Sequence, residues 1–272
     1  MSSGLSNIPP LLLLGSLGLF NWLVNIFAFH PEPGNVFDPQ AIDPSIQEIF
    51  IDTSDGVALQ AFLVSRSDSN RMLVFFHGNA GNASMRLPEA LRLSHLQTNV
   101  LLVSYRGYGK SSGSPSESGV YLDGEAAMEY VQARLGFSFN RIIILGRSLG
   151  SAVAIEVAQH HGVAGLILVA PFSNGRDLAD TMGLSWLAWL TGDPFDSVTK
   201  ISRIKIPMLF IHGTEDRIVP LELGRKLFDA TPSPKEWKSV LHADHNNLVQ
   251  IAGPQYWEWI QEFIDRIVPR ES

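Results

Sequence analysis

The chain has 272 residues, of which 45% are hydrophobic and 17% are charged. That balance allows a sizeable buried core and excludes a disordered chain. The net charge of −7 argues against nucleic acid as a partner, because phosphate binding requires a concentrated basic surface. The chain contains no cysteine, which removes disulfides, thiolate metal ligands and thiol catalysis together.

The N-terminal segment is strongly apolar. No Asp, Glu, Lys or Arg precedes Glu32, and the stretch from Ile8 to Phe29 is almost wholly apolar. A run of roughly 20 apolar residues matches the hydrocarbon thickness of a bilayer. A buried core helix and a cleaved signal peptide are the alternatives, but the basic n-region and small-residue cleavage site of a signal peptide are missing. We therefore predict a single-pass membrane anchor over residues 1–30, with no nearby basic residue to set its orientation.

The remaining chain predicts one large domain over residues 45–272. Residues 31–44 are rich in Pro, Asp and Asn, which indicates a linker that is either extended or held against the domain surface. A short insertion at about residues 173–206 contains the apolar and aromatic stretch Leu184–Leu190. This insertion is either a lid or membrane-facing patch that admits acyl chains, or a short helix that covers the sheet.

The strand pattern of this domain begins with a hairpin. Gln47–Asp52 and Val57–Val64 flank Asp55 and Gly56, a dipeptide typical of tight turns. Compact apolar runs without polar alternation follow, as expected for strands buried on both faces of a parallel sheet. These runs are Met72–Phe76, Val100–Ser104, Ile142–Leu145, Leu166–Ala170 and Met208–Ile211, and a last strand is predicted at Glu236–Leu241.

Helical patterns occupy the intervals between the strands. They are Ser84–His95, a helix that starts at Ser114 to Glu117, Leu149–His161, Leu221–Ala230 and Gln255–Val268. In the second helix, Ser114 is expected as the N-cap, Pro115 at N1 and Glu117 in a capping box. An antiparallel start followed by alternating strands and helices predicts an α/β protein, with a mostly parallel sheet and helices on both faces.

The sequence GRSLG at residues 146–150 lies between a predicted strand and a predicted helix. This is the context of a nucleophile elbow, a turn so sharp that its flanking positions must be small. The turn exposes the hydroxyl of Ser148 at the carboxyl edge of the sheet, and the following helix N-terminus favours a developing oxyanion. We predict Ser148 as a catalytic nucleophile.

A nucleophilic serine needs a base that is oriented by a carboxylate, and in this class the chain order is serine, acid, histidine. Asp216 and Glu215 both follow the strand that ends near Ile211, and Asp216 is preferred because Glu215 could equally be a solvated turn residue. His242 and His245 both lie in the loop after the last strand. His245 is preferred as the base, because it begins a polar run at the loop apex.

An oxyanion hole requires two backbone N–H groups, one from the residue after the nucleophile and one from the loop after an earlier strand. Leu149 supplies the first. The sequence FHGNAGN at residues 76–82, a glycine-rich loop after a strand, supplies the second through the amide of Asn79. His77 is expected to order this loop. The loop lacks the glycine spacings of phosphate-binding motifs.

Together these segments resemble a known family. FHGNAGN at 76–82, YRGYGKS at 105–111, GRSLG at 146–150, HGTED at 212–216 and HN at 245–246 resemble the membrane-anchored serine hydrolases of the fungal bud-emergence type. Their animal relatives are the α/β-hydrolase domain-containing proteins types 13 and 17. The resemblance implies the α/β-hydrolase fold and carries Ser148, Asp216 and His245 over as nucleophile, acid and base. Type 17 members, implicated in depalmitoylation, carry an N-terminal cysteine cluster that this chain lacks.

These residues predict acyl transfer through a covalent serine intermediate, a mechanism that needs no metal or organic cofactor. A site near a bilayer would meet small-molecule esters, lipids or acylated proteins, so we predict a serine hydrolase of ester or thioester bonds. Two alternatives remain open. One is a peptidase or amidase on the same scaffold, and the other is a non-catalytic, membrane-tethered binding protein.

Overall fold

A computed structural model of the chain describes residues 29–181, 183 and 194–270. The strands are β1 (His30–Pro31), β2 (Ile46–Asp52), β3 (Ala58–Val64), β4 (Met72–Phe76), β5 (Ala80–Gly81), β6 (Asn99–Val103), β7 (Ile142–Arg147), β8 (Gly165–Val169), β9 (Met208–Gly213) and β10 (Lys235–Val240). The α-helices are α1 (Pro39–Ile42), α2 (Leu87–Ser94), α3 (Glu117–Ala133), α4 (Leu149–His160), α5 (Gly175–Thr181), α6 (Ser197–Ile201), α7 (Leu221–Ala230), α8 (Leu248–Ala252) and α9 (Pro254–Ile267).

Over the described residues, eight strands form one sheet in the order β10-β9-β8-β7-β4-β6-β3-β2. The pairs β2/β3 and β3/β6 are antiparallel, whereas β4, β6, β7, β8, β9 and β10 run parallel. The predicted hairpin, the mostly parallel sheet and the α/β class are therefore confirmed. Because β7, β8, β9 and β10 are parallel neighbours, the loops that follow them meet at one edge of the sheet.

The core lies on both faces of this sheet. In β4 alternate residues divide between the two faces, with Val74 and Phe76 in one hydrophobic cluster and Leu73 and Phe75 in the other. Helices α3, α4 and α7 cover the first face, and α2, α8 and α9 cover the second. All residues of β4 are buried, which explains why its sequence shows no polar alternation.

Two helix starts differ from the predictions. The N-cap of α3 is Ser116 rather than Ser114, and its hydroxyl accepts a hydrogen bond from the amide of Gly119. Pro115 thus precedes the cap. The predicted helix 84–95 divides into a 3₁₀ turn at Ala83–Arg86 and α2, because the Asn82 side chain caps the turn and Pro88 starts a new helix.

Residues 29–44, which include the predicted linker 31–44, lie against the domain. β1 pairs with β5, and the amide of Gly34 donates to the carbonyl of Gly109. Phe29, inside the predicted anchor, is 4% exposed and belongs to the core. Residues 1–28, the rest of that anchor, lie outside the described residues. In the ranges that the structure describes, no helix is both long enough and apolar enough to span a bilayer.

The predicted insertion at about residues 173–206 is described only at its two ends. There the amide of Gly175 donates to the carbonyl of Pro194 at 2.6 Å, and the amide of Val198 donates to Ser173 at 3.1 Å. The two ends of the insertion are therefore held together. The apolar stretch 184–190, on which the lid hypothesis depends, lies outside the described residues.

Candidate active site

Ser148 sits in a sharp turn between β7 and α4. Its φ of 52° and ψ of −119° place a non-glycine residue in a rarely populated backbone region, which costs about 1–3 kcal/mol and persists only where the surroundings enforce it. Glycines make the turn possible. A β-carbon on Gly146 would overlap the carbonyl oxygen of Gly150, and one on Gly150 would overlap that of Phe76. The structure thus places Ser148 in the elbow geometry that the sequence predicted.

The loop after β4 lies directly against this elbow. A β-carbon on Gly78 would be 3.4 Å from the β-carbon of Ser148. Nδ1 of His77 lies 2.7 Å from the carbonyl oxygen of Gly78, and because a carbonyl can only accept, Nδ1 carries the proton. His77 is fully buried, and burial lowers the pKa of its ring to about 4. His77 is therefore a neutral residue that orders the loop.

The hydrogen bond from His77 also orients the amide of Asn79. In a trans peptide the C=O and N–H groups point in opposite directions. With the Gly78 carbonyl directed at the imidazole, the Asn79 N–H faces away from it. The second predicted donor, the amide of Leu149, is the first of helix α4 and therefore has no acceptor within the helix. The amide of Leu149 thus adjoins Ser148 in the chain, and Asn79 follows Gly78, the loop residue that lies against Ser148.

The predicted acid and base form a buried pair. Nδ1 of His245 lies 2.7 Å from Oδ2 of Asp216. The other carboxylate oxygen, Oδ1, accepts hydrogen bonds from the amides of Ile218 at 3.0 Å and Val219 at 2.8 Å. The Asp216 side chain is 0% exposed and that of His245 is 9% exposed. Because three hydrogen bonds fix the carboxylate and Nδ1 is occupied, Nε2 is the ring nitrogen left for proton transfer.

The two alternative residues, His242 and Glu215, pair with each other. Nδ1 of His242 lies 2.8 Å from Oε1 of Glu215. The side chains are 83% and 54% exposed, so this pair is solvated. Exposed ion pairs contribute little free energy. The geometry therefore joins Asp216 to His245 and separates both from Glu215 and His242.

His212 is a neighbour of the acid that the sequence analysis did not assign. It is the second-to-last residue of β9, and its Nε2 lies 2.9 Å from the carbonyl oxygen of Val219 and 3.6 Å from Oδ2 of Asp216. Nε2 therefore donates to that carbonyl. Burial lowers the pKa of His212, which keeps the ring neutral beside the carboxylate. Its position at the end of a strand, four residues before Asp216, was the available sequence signal.

Arg147 connects the elbow to the histidine loop. Its guanidinium donates to the main-chain carbonyl of His245 at 3.0 Å and lies 3.5 Å from the carboxylate of Glu89. Tyr256 donates its hydroxyl to the same carboxylate at 3.3 Å. Arg147 and Glu89 are both largely buried. Arg147 is thus a scaffold residue, and no sequence pattern indicated its partners.

The main chain of Ser148 is hydrogen-bonded within the elbow and to β8. Its carbonyl accepts from the Ser151 hydroxyl at 2.6 Å, and its amide donates to Val169 at 2.9 Å. Within the described ranges, no hydrogen bond joins its hydroxyl to His245, a bond that commonly tightens only when substrate binds. Nor do the described residues hold a group of His, Asp and Glu side chains arranged to bind a metal ion.

Fold and site together define the class of protein. A family model described as alpha/beta hydrolase fold matches residues 71–200. The chain is 35% identical over 241 residues to Protein bem46 of Schizosaccharomyces pombe, a match that covers 85% of this chain and 80% of that protein. It is 32% identical over 229 residues to Alpha/beta hydrolase domain-containing protein 17C of Homo sapiens, with 83% and 68% covered. The chain belongs to the bem46 family of α/β-hydrolase domain-containing proteins.

Solved structures agree on the fold. The Pyrococcus furiosus esterase Pf2001 superposes with a TM-score of 0.73 at 21% identity, over 88% of this chain and 99% of that one. An alpha-beta hydrolase from Vibrio vulnificus superposes with a TM-score of 0.72 at 18% identity, over 96% and 98%. The α/β-hydrolase fold is thus confirmed. With the family membership, it supports a hydrolase.

Proposed function

We propose that this protein is a serine hydrolase that cleaves ester or thioester bonds of acyl-chain substrates through an acyl-enzyme. The observation that carries the proposal is the buried Asp216–His245 pair, 2.7 Å apart, at the same sheet edge as the strained Ser148. A buried carboxylate and imidazole in contact require a reason, because burying polar groups costs free energy. Activation of a nucleophile is that reason.

The mechanism has two steps. Nε2 of His245 takes the hydroxyl proton of Ser148 as the oxygen attacks the acyl carbonyl, and Asp216 stabilises the imidazolium that forms. The amides of Asn79 and Leu149 hold the tetrahedral oxyanion, each contributing about 3 kcal/mol. His245 then returns the proton to the leaving alcohol or thiol. In the second step the same imidazole activates water, which releases the acid and restores Ser148.

The proposed substrates are small-molecule esters, lipids or acylated proteins that carry apolar acyl chains. The uncharged apolar segment before Glu32 supports this choice, because a membrane anchor would concentrate such substrates around the site. We propose that residues 1–28 attach the protein to a membrane. Extraction of membranes with alkaline carbonate tests this part: the full chain should stay in the pellet, and release into the supernatant would contradict the anchor.

The first experiment is labelling of the full-length protein in detergent with a fluorophosphonate probe. Wild type should be labelled covalently, and Ser148→Ala should not. Ser94→Ala is the matched control, since Ser94 is buried in α2 and its hydroxyl donates to the carbonyl of Leu91 in the same helix. Hydrolysis of p-nitrophenyl esters and acyl thioesters of increasing chain length then separates a short-ester preference from a lipid-like one.

Each outcome distinguishes the proposal from its alternatives. A folded wild-type protein that neither reacts with the probe nor hydrolyses any ester would contradict the hydrolase and favour the non-catalytic binding protein. Labelling at Ser148 without ester turnover, but with cleavage of anilide or peptide substrates, would favour the amidase. Equal rates for acetyl and long-chain substrates would contradict the acyl-chain specificity alone.

A further inference from the structure

Residues 29–34 form a short segment that crosses the loops around the candidate active site, and we call it the strap. Its first part, β1, pairs in parallel with β5, so that His30 lies opposite Ala80 and Pro31 opposite Gly81. The amide of Glu32 donates to the carbonyl of Gly81 at 3.2 Å. β5 belongs to the loop that carries Asn79. The strap therefore contacts the loop of the oxyanion hole, although nearly 50 residues separate them in the chain.

The side chain of Asn79 is held by this segment. Its Oδ1 accepts one hydrogen bond from the amide of His30 at 2.8 Å and a second from the hydroxyl of Tyr108 at 3.0 Å. Both donors come from outside the loop. The carboxamide oxygen is thus fixed from two directions, while the backbone amide of the same residue is the oxyanion donor.

The rest of the strap is anchored just as firmly. The side chain of Asn82 donates to the carbonyls of Glu32 at 2.9 Å and Gly34 at 2.7 Å. Gly109 donates to the carbonyl of Glu32 at 2.9 Å and accepts from Gly34 at 2.8 Å. These bonds join the strap to two separate loops. One is the loop that carries Asn79, and the other is the loop that carries Tyr108.

Phe29 fixes the other end of the strap. Its side chain is 4% exposed, and its ring packs edge-on against Phe195 with a centroid distance of 6.1 Å. Phe195 in turn packs against Phe172, at the base of the insertion. The strap is therefore held between a hydrophobic anchor and a set of main-chain hydrogen bonds.

We propose that the strap is a positioning element of the oxyanion hole, acting through Oδ1 of Asn79. Oxyanion stabilisation requires a donor about 2.7–3.1 Å from the developing charge, and it depends on a donor that is already in place. His77 sets the direction of the Asn79 amide through the Gly78 carbonyl, whereas the strap and Tyr108 set its location. This proposal rests on the proposed hydrolase activity and extends it to residues outside the triad.

Two substitutions in the full-length protein test the hydrogen bonds to Oδ1. Tyr108→Phe removes the hydroxyl donor and keeps the buried ring, and His30→Pro removes the amide donor. His30→Ala is the matched control, since it changes the exposed side chain and keeps the amide. We expect kcat for a soluble ester to fall on the order of 10-fold in the two test variants, less than the roughly 10²–10³-fold that loss of a whole oxyanion donor costs. KM should stay unchanged, and His30→Ala should match wild type.

Two further readouts separate positioning from a general loss of stability. Affinity for a boronic acid, which forms a tetrahedral adduct at the serine, should weaken in parallel with kcat/KM. Amide hydrogen exchange in peptides that span residues 77–82 should accelerate in Tyr108→Phe and His30→Pro, at a temperature well below unfolding. The exchange measurement does not depend on enzymatic activity. If wild type were inactive but the variants exchanged faster, the proposed function would be contradicted and the role of the strap in holding the loop would stand. Unchanged amide exchange together with wild-type kcat in both variants would overturn the proposal that the strap positions the oxyanion hole.

Discussion

Two carboxylate–imidazole pairs occupy the same pair of loops, and they differ mainly in burial. Asp216 pairs with His245 at 2.7 Å, and Glu215 pairs with His242 at 2.8 Å. The acids are consecutive in the chain and the histidines three residues apart. Yet the side chains of the first pair are 0% and 9% exposed, and those of the second are 54% and 83% exposed. The same contact therefore orients the proposed base in one place and forms a solvated surface pair in the other.

The difference arises from how each pair is supported. Asp216 accepts hydrogen bonds from two main-chain amides in addition to the one from the imidazole. The main chain of His245 is held by the guanidinium of Arg147, a side chain that is itself buried. The main chain of His242 is held by the hydroxyl of Thr214. A base is useful for catalysis when its orientation is fixed before substrate arrives, and only the buried pair meets that condition.

The largest expected effect compares the two histidines. His245→Ala should lower kcat for ester hydrolysis on the order of 10⁵-fold, because the serine loses its base. His242→Ala should leave kcat within about two-fold of wild type. Steady-state hydrolysis of a p-nitrophenyl ester, with active-site titration to normalise enzyme concentration, checks both. A comparable loss in His242→Ala would contradict the assignment of the base.

The next comparison is between the two acids. Asp216→Asn should lower kcat on the order of 10⁴-fold, since the amide can stabilise the wrong tautomer of His245 and cannot stabilise its charged form. Glu215→Gln makes the equivalent change in the exposed pair, where the carboxylate lies at a similar distance from its histidine. This variant should change kcat less than two-fold. Single-turnover acylation rates of both variants give the answer. Equal rates would mean that burial does not decide which carboxylate acts.

A third histidine, His77, extends the comparison to a buried ring whose hydrogen-bond partner is a main-chain carbonyl rather than a carboxylate. Its pKa falls to about 4 in the folded protein, because burial disfavours the charged form. Between pH 6.5 and 4 the unfolded chain therefore binds more protons than the folded one. The free energy of unfolding decreases as the pH falls through this window, by about 3 kcal/mol in total for this residue, and the full contribution is present above pH 6.5.

Denaturant unfolding of wild type and His77→Asn between pH 7.5 and 4.5 measures this effect. The variant should show a smaller slope of stability against pH than wild type, whatever its absolute stability at pH 7.5. His212, whose pKa burial also lowers, acts in the same direction and should leave part of the slope in place. Parallel curves for the two proteins would exclude His77 as the source.

The smallest effect concerns the side chains that hold the backbone of the two histidines, Arg147 for His245 and Thr214 for His242. Arg147→Met takes the buried Glu89 carboxylate away from its arginine partner and leaves it beside Tyr256 and the nearby Arg86. This change should lower the free energy of unfolding by about 2 kcal/mol. The double variant Arg147→Met/Glu89→Gln should recover most of it. Thr214→Val, which removes the support of His242, is the control for turnover: kcat should fall roughly 10-fold in Arg147→Met and stay at the wild-type value in Thr214→Val.

Much of the fold could be predicted because the signals are local. β4 has the predicted bounds Met72–Phe76, and α7 has the predicted bounds Leu221–Ala230. A continuous apolar run marks the buried strand, and an amphipathic repeat marks the helix. The N-cap of α3 was misplaced by two residues because Ser114 and Ser116 both precede a helical pattern. Only the backbone geometry decides between two such serines.

The remainder of the site depends on contacts between distant residues. The elbow glycines mark Ser148 locally, and chain order selects the loops of Asp216 and His245. By contrast, β1 and β5 have two residues each, too few for any periodicity, and their pairing joins residues 50 apart. The contact between Arg147 and the His245 carbonyl spans 98 residues. No sequence pattern records such contacts, because they depend on how the whole sheet assembles.

The strap also determines the reach of the proposed anchor. A free linker of 14 residues would have a root-mean-square span of about 20 Å, and the domain could explore a volume of that radius above a membrane. Because residues 29–34 are bonded to the domain and Phe29 is buried in it, that freedom is lost from the first described residue onward. On the proposed anchoring, the mouth of the active site would keep a nearly constant height above the bilayer, which would favour bonds at one depth of the lipid–water interface.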